Sequence, residues 1–389
     1  MSATRTLPTT PEVRNAGLWI ALASGAAIAG GSVLVQPGDG WAGVLTAGVF
    51  GVNLALGGAV LLAINSLAGA KWWLSFRHLS LSLARTLPAP AVAVALALVL
   101  GLTALYPWAR PGAMDPATPL GHLLAKKAMW LNGSFFLARA VVIFILWFGF
   151  IAAFGSRLAA IRREGPAREK DLVKTSALFI LVFALTCSVA AWDWTMSLEP
   201  GWFSTMFGVY HFAGIFQGGI AAVILIVHLA IRWQALAPIS PSQRHDLGKL
   251  LFAFSAFWAY IWFCQFMLIW YANLPEETEH YVRRMAHGWT LIFYLNPIFN
   301  FVFPFVLLLG TSTKKHTATL VQVAAVVILG RWLDAYLMVA PVSGPAPSWP
   351  IAAAAASLAV LAGMILIVRP LVLAGAGATP SSAQNMHGH

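Results

Sequence analysis

An all-α polytopic membrane protein with about ten transmembrane helices is the fold class this sequence predicts. Three observations carry the prediction. Of the 389 residues, 59% are hydrophobic and only 10% charged, far from the balance of a soluble domain. Apolar runs long enough to cross a hydrocarbon core of roughly 30 Å recur along the chain. Lysines and arginines collect in alternate loops, the pattern of a multi-pass protein.

The predicted spans cover residues 16–35, 43–66, 87–108, 129–154, 174–192, 205–231, 249–272, 286–310, 318–340 and 350–369. In the first, Arg14 followed by Leu18 to Gly31 has the shape of a secretory signal, but the apolar run continues to Val35 and favours an uncleaved helix. After the second, Lys71 to Arg85 is a candidate interfacial helix. Trp72, Trp73, Phe76 and Leu79 to Leu83 would lie on lipid while Lys71, Arg77 and Arg85 reach anionic headgroups; an ordinary loop is the alternative. The fourth span carries Arg139, and the sixth carries His211 with a small-residue stripe, Gly214 and Gly218, that invites close helix approach. The seventh holds Gln265. In the eighth, Pro297 and Pro304 each remove a backbone donor, and Pro304 frees the carbonyl of Asn300. The ninth sets Arg331 and Asp334 at i, i+3 on one face.

An even number of spans puts both termini on one side. That side gathers Arg5, Arg14, Lys71, Arg77, Arg85, Arg157, Arg162, Arg163, Arg168, Lys170, Lys174, Arg232, Arg244, Lys249, Lys314, Lys315 and Arg369, against Arg110, Lys126, Lys127, Arg283 and Arg284 on the other. The bias predicts cytoplasmic termini in a bacterial inner membrane. It also accounts for the net charge of +11 without nucleic acid. Cys187 and Cys264, the two cysteines, fall inside spans as packing residues. With no CxxCH and no four-cysteine set, the chain is expected to carry no redox centre or metal of its own.

Residues 1–370 read as a single integral membrane domain, and the Gly/Ser/Pro-rich tail 371–389 is expected to be a disordered cytoplasmic extension. Trp130-Leu131-Asn132 before Phe135 echoes Tyr294-Leu295-Asn296 before Phe299, and Trp192-Asp193 echoes Trp332-Leu333-Asp334. These echoes suggest that spans two to five and six to nine form two four-helix bundles, flanked by spans one and ten.

Ionisable groups inside a bilayer are costly and mark candidate function. Arg139 lies roughly 15 Å below the outer end of its span, and Arg331 and Asp334 roughly 9 to 14 Å below theirs. His211, Gln265, Asn53, Asn132 and Asn296 also fall in the outer half, while the inner half offers little beyond His228 and Asn65. The polar path therefore opens outward. Above it, Trp192 to Phe203 sets Asp193 and Glu199 among three tryptophans, which reads as a connector at headgroup level. Arg139 and Asp334, at similar depth, are expected to pair across a bundle, with Asn132 on the same face as Arg139. The alternative is that Arg331 and Asp334 neutralise each other and lock helices together. His211 is a proton carrier or a satisfied core histidine. Bis-histidine haem is disfavoured because His211 and His228 lie at opposite ends of one span.

The run WDWTMSLEPGWFSTMFGVY at Trp192 to Tyr210 and FCQFMLIWYANLPEET at Phe263 to Thr278 resemble signature segments of the ActF subunits of bacterial alternative complex III, as do Lys127 to Arg139 and Gly330 to Asp334. The region Trp72 to Leu87 departs from that pattern. The resemblance implies an NrfD/PsrC-like ten-helix subunit of a quinol:electron acceptor (cytochrome c) oxidoreductase. It further implies an ActC-like membrane subunit that holds the quinol site, an iron–sulfur subunit, a multihaem cytochrome c subunit, other small membrane subunits and surrounding lipids as partners. Haem c and iron–sulfur clusters would reside in those partners, with menaquinol or another quinol as substrate of the complex.

The leading expectation is thus a respiratory membrane subunit in which Asp193, His211, Arg139, Arg331 and Asp334 form a periplasm-facing proton route. Asp334 would be the exchangeable carboxylate, Arg139 or Arg331 its tuning charge, Asp193 the exit-side group, and Glu199 a docking or loop-shaping residue. A secondary transporter and a purely structural anchor for periplasmic redox subunits remain the alternatives.

Overall fold

The computed structural model describes residues 15–286, 288–342 and 350–376. It is 84% helical, with no strand among the described residues. Among the described residues, ten helices are long and apolar enough to cross a membrane: Asn15–Val35, Pro37–Leu67, Arg77–Leu100, Gly133–Glu164, Pro166–Leu198, Phe207–Arg232, Pro241–Ala272, Thr290–Leu307, Thr317–Val342 and Ile351–Gly375. The chain is a multi-pass helical membrane protein. Arg14 and residues 377–389 of the expected tail lie outside the described residues, while 371–376 continue the last helix instead of loosening.

Each span begins and ends where local chemistry dictates. Pro37 opens the second at a position where its missing N–H is no loss. Ser240 and Gln243 close a capping box at the head of the seventh, each side chain bonding the other's backbone. Asn132 caps the fourth by accepting from Phe135 N at 2.9 Å. Its side chain is consumed there, so it does not line a path with Arg139.

The second span is the central post, almost wholly enclosed, while the first lies almost wholly on the outside. Spans two to five pack on one another, as do six to nine, and spans one and ten pack together against the second. The halves meet where Gly57 of the second span faces Gly219 of the sixth, so close that a methyl on either would overlap the other's backbone. The stripe residues Gly214 and Gly218 serve a different purpose. Their missing side chains make room for Arg331, whose guanidinium would stand 3.0 Å from a Cβ at Gly214.

The third span starts ten residues earlier than expected. Arg77–Ala84 is its first helical segment, with Leu79, Leu81 and Leu83 buried against neighbours, and Trp73 and Phe76 in the turn before it are buried as well. The proposed interfacial helix is therefore part of the bundle. Its amphipathic pattern is satisfied by protein rather than by lipid.

Pairings across the loops group the helix ends. Arg77–Glu169 at 2.6 Å, Gln243 to the Trp72 carbonyl, Arg244 to the Lys315 carbonyl and Arg369 to Asn15 gather at the end where the first helix starts and the last one finishes, the terminal end. Asp193, Glu199 and Arg284 gather at the opposite end, called the outer end below.

Candidate functional site

The eighth span breaks where its prolines demand. A single π-helical segment, Ile298–Val302, lies between Pro297 and Pro304. The carbonyl of Asn300, which Pro304 cannot serve, instead accepts the Gln217 amide at 2.6 Å from the sixth span. The same Gln217 nitrogen donates to Ser255 Oγ of the seventh span at 2.9 Å, and its oxygen accepts from Arg331 Nη1 at 3.2 Å. One fully buried amide thus ties together spans six to nine.

From Arg331 the network closes into a ring. Arg331 pairs with Asp334 one turn along the ninth span, its guanidinium also facing the Trp258 ring. Asp334 Oδ1 accepts from Asn296 Nδ2 at 2.8 Å, and Asn296 Oδ1 accepts from Asn300 Nδ2 at 2.6 Å. Tyr210 donates its hydroxyl to Asp334 as well. Asp334 is 2% exposed, so each of these bonds replaces hydration the carboxylate has lost. Gly330 is required here, since a Cβ on it would stand 2.8 Å from the Asn300 amide nitrogen.

Outward of Asp334 lies a cavity of about 40 Å³, lined by Tyr210, Gln265, Asn296 and Asp334 on its deep side and by His280, Tyr281 and Arg284 on its shallow side. That is room for a water molecule with several polar partners. On its shallow side Glu199 accepts from Arg284 Nη1 at 2.9 Å and stands 2.5 Å from His280 Nδ1, and the Trp202 ring stacks on His280 with centroids 3.8 Å apart. Arg284 also donates to the carbonyls of Leu337 and Met338 near the end of the ninth span.

Charges at this mouth are set by burial and by one another. Burial opposes ionisation of Glu199, but the Arg284 guanidinium and His280 outweigh it and hold the carboxyl well below the usual carboxylate range. His280 is pushed down to about 4 by burial first and by Arg284 second. At neutral pH the imidazole is therefore neutral.

No protein-family model matches the chain, and no curated protein matches it.

The five residues singled out in the sequence divide into two pairs and a single histidine. Arg331 and Asp334 pair with each other, the alternative that their spacing left open. Arg139 does not reach Asp334; it clasps Asp193 through Nε at 2.6 Å and Nη2 at 2.9 Å, its guanidinium lying over the rings of Trp130 and Phe135. Asp193 also accepts from Trp130 Nε1 at 2.9 Å. Similar depth was a poor guide because the two groups belong to different halves. Asp193 is fully buried, and no hydrogen bond among the described residues joins it to the Asp334 ring. His211 is buried with Nδ1 unbonded among the described residues, beside a space of about 10 Å³ that it shares with Asn53 and Thr195.

The Trp192 to Phe203 segment is not a headgroup anchor either. Trp194 and Trp202 are buried, Trp194 stacking on Phe144, and Asp193 belongs to the fifth span itself. Gln217, Tyr210, Ser255, Arg284 and His280 were not singled out. Gln217 alone left a readable signal, a primary amide in the middle of an apolar span.

Proposed function

We propose that this chain is a proton-handling membrane subunit of a respiratory quinol:electron acceptor oxidoreductase, with Asp334 as the exchangeable carboxylate. The observation that carries the reading is the polar cavity with Asp334 and Tyr210 at its deep side and His280 and Arg284 at its mouth. A buried carboxylate reached through water from one face is suited to accepting and releasing protons. The route runs from Asp334, with Tyr210 beside it, through the cavity to His280 and Glu199. Asp193 and Arg139 drop out of the route and serve as a clamp between spans four and five.

Quinol oxidation releases two protons per quinol, and an outward-opening path answers that need. The resemblance of the Trp192 to Tyr210 and Phe263 to Thr278 segments to alternative complex III subunits supports the assignment to a complex. On this reading an ActC-like subunit supplies the quinol site, and iron–sulfur and multihaem cytochrome c subunits accept the electrons. The complex would sit in a bacterial inner membrane with the termini cytoplasmic and the cavity periplasmic.

The test is isolation from native membranes in mild detergent, followed by quinol-driven proton release from vesicles. Haem c and iron–sulfur subunits are expected in the same particle, and Asp334→Asn is expected to impair proton release while the particle still assembles. A lone polypeptide, or an Asp334→Asn particle with unchanged proton release, overturns the reading.

A further inference from the structure

The hairpin between the fourth and fifth spans carries more positive charge than its own acids can answer. Its acids are Glu164, Glu169 and Asp171. All three are taken: Glu164 and Asp171 by Arg168, and Glu169 by Arg77 at 2.6 Å. Arg162, Arg163, Lys170 and Lys174 stand exposed with no carboxylate partner among the described residues. Beside them the charges of Arg162 and Arg77 both bear on His78, whose Nε2 is buried without a hydrogen bond.

Length fixes the level at which these cations stand. The fourth span has 32 residues, which at 1.5 Å each is about 48 Å. A bilayer with its headgroups is roughly 40 to 45 Å thick. With Gly133 at the outer boundary, Arg157 lies about 36 Å away and Arg162 about 44 Å, within the opposite headgroup layer. The apolar flanks of the same helices, including Val142, Ile145, Leu178 and Leu181, are exposed.

We infer that this hairpin is a seat for anionic phospholipid in the leaflet at the terminal end, with Arg162, Arg163, Lys170 and Lys174 as the phosphate-binding groups. Four uncompensated cations at headgroup level match the negative surface of an anionic leaflet, where each basic side chain adds attraction. Glu169, bonded to Arg77, holds the start of the fifth span against the third. Lipid bound at the hairpin therefore tightens the packing of spans three, four and five.

The experiment uses the full chain in mild detergent and measures thermal unfolding with phosphatidylglycerol or phosphatidylcholine of the same acyl chains. Phosphatidylglycerol is expected to raise the midpoint above that in phosphatidylcholine, and the difference is expected to shrink with salt. In a quadruple variant, Arg162→Gln, Arg163→Gln, Lys170→Gln and Lys174→Gln, the difference is expected to vanish while the midpoint in phosphatidylcholine stays as in the wild type. Equal midpoints for the two lipids in the wild type overturn the inference, as does a quadruple variant that keeps the full difference. Inorganic phosphate or polyglutamate stabilising the wild type as well as phosphatidylglycerol does would mark a seat for free anion or acidic protein, and overturns it too. Should the quadruple variant not fold, Arg163→Gln alone is expected to reduce the difference, and an unchanged one counts against the seat.

Discussion

The side-chain amide of Gln217 donates to the backbone carbonyl of Asn300 at 2.6 Å, occupying the acceptor that Pro304 leaves without a helical partner. Defect and repair therefore lie on different helices. Gln217→Leu strands that carbonyl and Ser255, and removes an acceptor from Arg331. A loss of about 1–3 kcal/mol in unfolding free energy is expected. Pro304→Ala restores an N–H to the eighth span, so the same Gln217→Leu change is expected to cost less in that background. Equal costs in a double-mutant cycle of thermal unfolding would remove the link.

Arg139 and Asp193 make the corresponding clamp in the other half, and buried pairs respond asymmetrically to damage. Arg139→Leu leaves a buried carboxylate with only Trp130, and about 3–5 kcal/mol of stability is expected to go. Arg139→Leu combined with Asp193→Leu removes both charges and is expected to be more stable than the single change. Denaturation of the purified variants decides the order. A double variant less stable than Arg139→Leu would mean that Asp193 serves something beyond this pair.

How much of this was readable beforehand follows from the range of the interactions. Span number, the broken eighth helix and the Arg331–Asp334 pair rest on contacts within a turn or two, so periodicity and proline chemistry reveal them. Which side chain Arg139 meets depends on how helices assemble, and depth along one helix carries no information about azimuth in the bundle. The Lys71 to Arg85 stretch shows the same limit: an amphipathic helix reads alike whether its apolar side meets lipid or Phe76 and Leu79 are enclosed by neighbours. The amphipathic ring of a tryptophan near a boundary points to the headgroup level, yet Trp202 is stacked on His280, far along the chain and invisible to any local pattern.

The mouth of the cavity predicts a pH dependence of stability. His280 titrates near 4 in the folded chain against an ordinary 6.5, so the unfolded chain binds the extra proton between those values and stability falls as pH drops from 6.5 to 4. Glu199 is held below its ordinary 4.5, so its contribution is intact above that pH and is lost as pH falls further. The wild type is expected to lose stability in two stages on acidification. In His280→Gln the first stage is expected to shrink. Thermal midpoints measured from pH 7 to 3.5 test this, and an unchanged first stage in the variant would assign it to other groups.

Tyr210 offers the sharpest separation between a route and a rigid core. Its hydroxyl bonds Asp334 and lines the cavity, whereas its ring packs near Phe207 and Trp258. Tyr210→Phe keeps the ring and removes the hydroxyl, leaving Asp334 with Arg331 and Asn296. If Asp334 exchanges protons through the cavity, the hydroxyl is the nearest group able to pass one on, and its loss is expected to slow proton release by about tenfold or more. Asp334→Asn is expected to be slower still, because the carrier itself is gone. Proton release from vesicles, followed with a pH indicator after rapid mixing with quinol, ranks the three proteins. A Tyr210→Phe rate equal to wild type would confine the hydroxyl to packing, since a group needed only to complete the ring leaves stability changed and rate untouched.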